Sequence, residues 1–255
     1  MNDGIVIQAR SGSTRMPAKI LRPFDGERTI LDIIIDNICR DNPGKTVVVA
    51  TTTRDADDAI AAVAAKHGVE VFRGSEDDVL SRFIGAADAF GLDRIVRVCS
   101  DNPLLQTGSF AALFDESDRH PEAGYVAFAF PDGRPTIKSH LGLYAELATV
   151  GALRRAAVLC TGDADEKLYR EHVTIYLYTH PQHFSLYFLP LPPVLRQRTD
   201  IRLTVDTPSD FSLLHELYSA LSSSGDMSPE AMLRFVDANP EYGRIMKQNI
   251  AQNEK

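Results

Sequence analysis

Across roughly the first 120 residues, short runs of apolar, largely β-branched residues alternate with longer amphipathic stretches, a pattern that confines the chain to few folds. Residues 5–8, 46–50, 69–72 and 94–98 read as strands. Residues 30–39, 56–66, 77–89 and 108–117 read as the helices between them. Strands that are apolar on both faces of the pleat and are joined by helices belong to a mostly parallel sheet covered on both sides, an α/β, Rossmann-like architecture. Ligands in such sheets bind beyond the carboxyl ends of the strands, so the segments after residues 8 and 98 are where function is expected.

Past residue 120 the strands become shorter and more aromatic, at 125–130, 141–146 and 184–189, with a turn at Pro131, Asp132 and Gly133. A helix over 171–178 interrupts them, a strand over 201–205 returns to the main sheet, and a helix follows over 209–221. Ser222 to Asp226 reads as a linker, and Ser228 with Pro229 marks a helix start. The expected division is a domain over 1–222, with a first half of about 1–120 and a small subdomain of about 121–200, and a helical appendage over 223–255.

Composition excludes several classes. A hydrophobic content of 44% over 255 residues is ample for a sizeable core. A formal net charge of -8 argues against a nucleic-acid surface and leaves local cation clusters to serve small anions. Cys39, Cys99 and Cys160 are odd in number and widely spaced, so neither a disulfide framework nor a metal pair is expected, and the reading is a cytoplasmic protein. No stretch has signal-peptide character or the length to span a bilayer.

The segment after the first strand, residues 8–19, concentrates the chemistry. Gly12 lets a ligand approach the backbone, Ser11, Ser13 and Thr14 offer short donors, and Arg10, Arg15 and Lys19 bring positive charge, which together suit a triphosphate. The spacing matches neither the Walker A loop nor the dinucleotide fingerprint. From residue type, the arginines hold phosphates in fixed orientation, and Lys19 is the mobile charge for the oxygen on which pyrophosphate departs. Asp101 and Asp206 each follow a strand and are the candidate ligands for Mg2+, which favours oxygen donors from one or two carboxylates. Read singly, Asp101 is an Asx-turn residue and Asp206 a helix cap, whereas Asp210 reads as a first-turn helix residue.

The run Gln-Ala-Arg-x-Gly-Ser-x-Arg-x-Pro-x-Lys over 8–19 resembles the signature of sugar nucleotidyltransferases of the cytidylyltransferase type. These include the spore-coat polysaccharide cytidylyltransferase-like proteins and, more distantly, the synthetases that activate sialic acid and ketodeoxyoctonate with CTP. Blocks at 50–53, 72–83, 97–103 and 203–211 agree in order and spacing, so the resemblance covers about 4–215. It differs mildly at Ser11, where methionine is frequent, and at Ala18, where glycine is frequent.

The resemblance implies a metal-dependent transfer of CMP from CTP to a sugar acid, sugar phosphate or phosphonate-like acceptor, in a homodimer serving surface-glycan synthesis. It implies catalytic roles for Arg15 and Lys19 and metal ligands at Asp101 and Asp206. Nucleotide contacts fall on Gln8, Ala9, Arg10, Gly12, Ser13, Thr51, Gly74, Ser75 and Asp77. Asp77 and Asp78 also suit a helix start, and Arg82 a salt-bridging helix face. Acceptor contacts are expected at Lys138, His140, Glu146, Arg170 and His172, although the wording at 138–146 departs from the family's. A nucleotide-sugar-dependent glycosyltransferase and a non-catalytic nucleotide-binding domain remain as alternatives. Against the first stands the absence of an Asp-x-Asp motif after any expected strand, and against the second the retention of every cation and both aspartates.

Overall fold

A computed structural model describes residues 1–13 and 15–252, so that Thr14, one of the expected donors, and the last three residues of the expected C-terminal appendage lie outside the described residues. In chain order the elements are β1 (Asp3–Gln8), a hairpin of β2 (Pro23–Asp25) and β3 (Arg28–Thr29), α1 (Ile30–Asp41), β4 (Thr46–Thr52), α2 (Asp58–Lys66), β5 (Glu70–Gly74), α3 (Val79–Phe90), β6 (Arg94–Cys99) and α4 (Phe110–Arg119). There follow β7 (Tyr125–Ala129), β8 (Glu146–Thr149), α5 (Val150–Leu159), α6 (Glu166–Glu171), α7 (Ile175–Thr179), β9 (Leu186–Pro190), α8 (Pro208–Ser224), α9 (Pro229–Ala238) and α10 (Pro240–Gln252).

Seven strands form one sheet in the order β5-β4-β1-β6-β8-β7-β9. β8 runs antiparallel to both its neighbours, and the other strands share one direction. The pleat of β1 explains why the sheet is covered twice: Ile5 and Ile7 point into a core with α1, α4 and α8, whereas Val6 points into a second core with α3 and α5. Because β1 pairs with β4 on one side and β6 on the other, with Gln8 opposite Ala50 and Cys99, the loops leaving these three carboxyl ends emerge side by side.

Four sequence expectations change. The strand expected over 141–146 begins only at Glu146, because residues 140–143 bond elsewhere: the Leu203 amide donates to the His140 carbonyl at 2.9 Å and the Gln106 amide to the Leu143 carbonyl at 2.8 Å. Gly142 makes that approach feasible, since it sits at φ +64° and a side chain there would come within 2.8 Å of the Leu203 carbonyl oxygen. Residues 201–205, expected as a sheet strand, run extended but outside any ladder, tied instead by the Leu203 bond and by the Val205 amide to the Asp101 carbonyl at 2.9 Å. The helix expected over 171–178 is two helices, α6 and α7, broken where buried Val173 takes φ +39°. Finally, Ser222 to Ser224 close the last turn of α8, and Gly225 in the left-handed region caps it, so the expected linker is shorter.

The segment after 223 packs tightly. Ala231, Met232, Leu233 and Val236 of α9 and Met246 of α10 belong to the same core as α1 and α8.

Candidate active site

Beyond Gln8 the chain leaves the sheet and folds back on itself. The Ala9 amide still donates to the Ala50 carbonyl at 3.2 Å, and the Ser11 carbonyl accepts from the Ser13 and Ala18 amides at 2.8 and 3.0 Å. Asp57 braces this loop from the neighbouring strand end, accepting from the Ser11 amide at 2.7 Å and from the Thr52 hydroxyl. Burial pushes the Asp57 carboxyl up, but these hydrogen bonds outweigh it and hold it below the usual carboxylate range. Met16 and Ile20 are buried in the core and fix the loop's far side, leaving Arg15 and Lys19 facing the cleft. Ala18 holds φ +52°, which accounts for the glycine frequent at this position in the resembling sequences.

Lys19 is the point on which the loop and the opposite wall meet. Its Nζ lies 3.2 Å from Asp101 Oδ2 and 3.3 Å from Asp206 Oδ1, and it donates to the Val205 carbonyl. Burial works against its charge, yet the two carboxylates prevail and its pKa stands above the ordinary lysine value. Asp101 follows β6 and Asp206 follows the extended 201–205 segment, so the bond between Val205 and Asp101 is what sets the two carboxylates side by side. Arg15 lies 3.4 Å from Asp206 Oδ1, and Arg202 donates to the other oxygen at 2.8 Å. Fully buried Arg202 also forks onto Asp210 at 2.7 and 2.9 Å and donates to His140 Nδ1. Asp210 pairs in the capping box with Thr207 at the start of α8, so it serves the helix and Arg202.

Of the expected residues, Gln8, Arg10, Gly12, Ser13, Arg15, Lys19, Asp101, Asp206 and His172 line one cleft of about 340 Å³. Arg10 lies 3.7 Å from Glu171 across it. Ala9 is buried beneath the loop and Thr51 within β4. Gly74, Ser75 and Asp77 stand beyond the described lining, with Asp77 exposed and Asp78 capping α3 by accepting from the Ser81 amide at 2.8 Å. Arg82 differs from its expectation. It is buried rather than salt-bridged on an open face, donates to the Ser75 carbonyl at 2.6 Å, and burial together with nearby Arg10 pushes it down to about 10.

A second cavity of about 560 Å³ adjoins the cleft, and Arg15, Cys99, His172 and Asp206 line both. Lys138 and His140 line it with Arg97, beside Ile137, Leu168, Ile175 and Tyr178. Glu146 and Arg170 lie outside this lining. Glu146 is 2% exposed, accepting from Arg97 at 2.7 Å, from Thr174 at 2.6 Å and from the Tyr125 hydroxyl. Arg170 pairs with Glu166 at 2.7 Å and Asp78 at 2.9 Å, tying α6 to the start of α3.

Asp57, Arg97 and Arg202 escaped the sequence reading. Two of them had a usable signal, since Arg97 and Arg202 are single charges inside otherwise apolar runs, where only a buried partner makes an arginine tolerable.

A sheet covered on both faces, with a cationic loop at one strand end meeting one carboxylate beyond the neighbouring strand and a second on the 201–205 segment bonded to it, is the arrangement of a nucleotidyltransferase. Comparison with known proteins agrees, and the chain belongs to the cytidylyltransferase family, whose model matches residues 5–239. It is 36% identical to the uncharacterized protein MJ1063 of Methanocaldococcus jannaschii over 97% of this chain and 95% of that one. It is 32% identical to the spore coat polysaccharide biosynthesis protein SpsF of Bacillus subtilis over 94% of this chain and 97% of that one. Among solved structures, a cytidylyltransferase from Leptospira borgpetersenii serovar Hardjo-bovis superimposes with a TM-score of 0.81 at 30% identity, covering 95% of this chain and 96% of that one. The chain is thus an enzyme of this class, and the glycosyltransferase and non-catalytic alternatives fall away. Among the described residues, no helix is long and apolar enough to cross a membrane.

Proposed function

We propose that this enzyme transfers CMP from CTP to a small anionic sugar, releases pyrophosphate and depends on Mg2+. The observation that carries the reading is the convergence of Asp101 Oδ2 and Asp206 Oδ1 on the single ammonium of Lys19. Two hard oxygens that already share one cation fit a divalent ion, with phosphate oxygens and water completing its shell. Among the described residues no three His, Cys, Asp or Glu side chains group together, so an ion at this pair of carboxylates would take its remaining oxygens from substrate and water. Such an ion, when bound, neutralises phosphate charge and polarises the α-phosphorus.

The chain's own residues supply the rest. Arg10 and Arg15 orient the triphosphate, Gly12 keeps the loop clear of it, and Lys19 meets the charge that builds on the departing bridging oxygen. An acceptor hydroxyl oxygen forms the new bond to the α-phosphorus and loses its proton to water, while the bond to the β-phosphate oxygen breaks. Cytosine reading at Thr51, Gly74, Ser75 and Asp77, and acceptor contacts at Lys138, His140 and His172, belong to this proposal. So do a homodimeric, cytoplasmic enzyme and a place in surface-glycan synthesis, which the likeness to the spore coat polysaccharide protein supports.

The test is pyrophosphate release with each nucleoside triphosphate, Mg2+ and a panel of sugar acids, sugar phosphates and phosphonates. Turnover confined to CTP and lost with chelator is the expected result. No release with CTP and any acceptor, or release untouched by chelator, would overturn the reading.

A further inference from the structure

Asp206 presents its two carboxylate oxygens to different surroundings. Oδ2 turns inward and accepts from Arg202 at 2.8 Å, whereas Oδ1 faces the cleft, with Lys19 at 3.3 Å and Arg15 at 3.4 Å. Arg202 cannot follow an outward rotation of that side chain, because it is 2% exposed and held on its other edges. Its Nε and one terminal nitrogen fork onto Asp210 at 2.7 and 2.9 Å, and the other terminal nitrogen donates to His140 Nδ1. Asp210 is fixed in turn: its Oδ2 accepts from the Asp206 and Thr207 amides at 3.0 and 2.9 Å, and its Oδ1 from Asn249 at 2.9 Å. A buried ion pair therefore clamps both the backbone of Asp206 and one of its oxygens. Turning Oδ2 to the cleft would leave an N–H of Arg202 unbonded in the interior.

We propose that Arg202 is the positioning residue of Asp206, that it restricts this carboxylate to one oxygen toward the cleft, and that the restriction selects a small octahedral ion, Mg2+ or Mn2+, against Ca2+. The inference rests on the metal dependence proposed above for its ion and on geometry for its residue. Mg2+ demands a near-ideal octahedron of oxygens at about 2.0–2.1 Å and keeps water in its shell, so one oxygen from a carboxylate suffices. Ca2+ takes six to eight oxygens at about 2.3–2.6 Å, a number that carboxylates giving both oxygens help to reach. A carboxylate with one oxygen tied to a buried guanidinium cannot give both. Asp210 neutralises Arg202, so the negative charge of Asp206 stays available to the cleft. The task suits arginine, since a planar guanidinium can fork onto one carboxylate and still donate to a second, where a lysine ammonium is a single point of charge.

Calorimetric titration of the intact protein with CTP, without any acceptor, tests this in millimolar Mg2+, Mn2+ or Ca2+ and in chelator. The parent should bind CTP at least tenfold more tightly with Mg2+ or Mn2+ than with Ca2+. In Arg202→Lys, which keeps the charge but loses the fork, Asp206 is free to turn and that ratio should shrink to threefold or less. A role confined to holding the fold would weaken CTP with all three ions alike and leave the ratio where it was. Arg202→Met alone strands the Asp210 charge in the interior, so the double variant Arg202→Met with Asp210→Asn removes both charges and should lose the ratio in the same way. Thermal midpoints, read alongside, separate a freed Asp206 from a lost fold. Equal affinity with Mg2+ and Ca2+ in the parent, or an unchanged ratio in either folded variant, would overturn the assignment of Arg202 and leave metal dependence in place. No binding of CTP, or the same affinity with every ion and with chelator, would instead remove the proposed function and this inference with it.

Discussion

Lys19 lies between two carboxylates, and its neighbours show what each side chain is for. Replacing Asp101 or Asp206 by Asn removes one hard ligand without changing shape, so turnover should fall by about a hundredfold or more while the thermal midpoint moves little; steady-state pyrophosphate release checks it, and near-normal rates in both variants would dismiss the metal site. Lys19→Met takes away the charge facing the leaving group and should lower kcat by about a hundred- to a thousandfold, read by single-turnover kinetics. These residues were legible in sequence because they cluster at strand ends, where an α/β sheet puts its chemistry. Glu146 shows the limit of such a reading: a sequence shows that a carboxylate is present, not that three donors will engage it inside the fold.

Elements, unlike residues, were read well where they lie in ladders and poorly where backbone groups are satisfied otherwise. The strands β1, β4, β5 and β6 and the helices between them emerged from period alone, because they pack apolar side chains into the two cores, whereas the short β2–β3 hairpin was not read. The 201–205 segment has the same composition but no ladder partner, and its hydrogen bonds go to a loop and to Asp101. Gly142 is the joint of that arrangement. Gly142→Ala forces a side chain into the left-handed region and against the Leu203 carbonyl, so it should destabilise by about 2 kcal/mol or more, measured by urea denaturation, and it should loosen the Asp101–Asp206 geometry and hence lower kcat. An unchanged urea midpoint would show that residues 201–205 do not depend on this close approach.

At the scale of the whole molecule, α9 and α10 bind the C-terminal segment into the main core, and α10 reaches the site's supporting shell, since Asn249 donates to Asp210 at 2.9 Å. Met246→Ala opens a cavity under α10 and should cost about 2–5 kcal/mol, visible as a lowered denaturation midpoint. Acid should act through the same shell. Burial pushes the Asp210 carboxyl up, but Arg202 dominates and holds it below its ordinary value of 3.8. The stabilisation is therefore complete above about pH 4 and is lost as pH falls through the lower folded value. Asp210→Asn should be less stable at neutral pH and should flatten the acid limb of a pH series of urea midpoints; an unchanged limb would place the acid response elsewhere.

Periodic burial and charge at the ends of apolar runs are local properties of a chain, so the layered α/β sheet, the cationic loop and the two aspartates could be read along it residue by residue. It took the folded chain to bond Val205 to Asp101, to set Lys19 between both carboxylates, and to stand Arg97 in the second cavity with Glu146 behind it. Those are contacts between residues far apart in sequence, and no local pattern encodes which buried charge finds which partner.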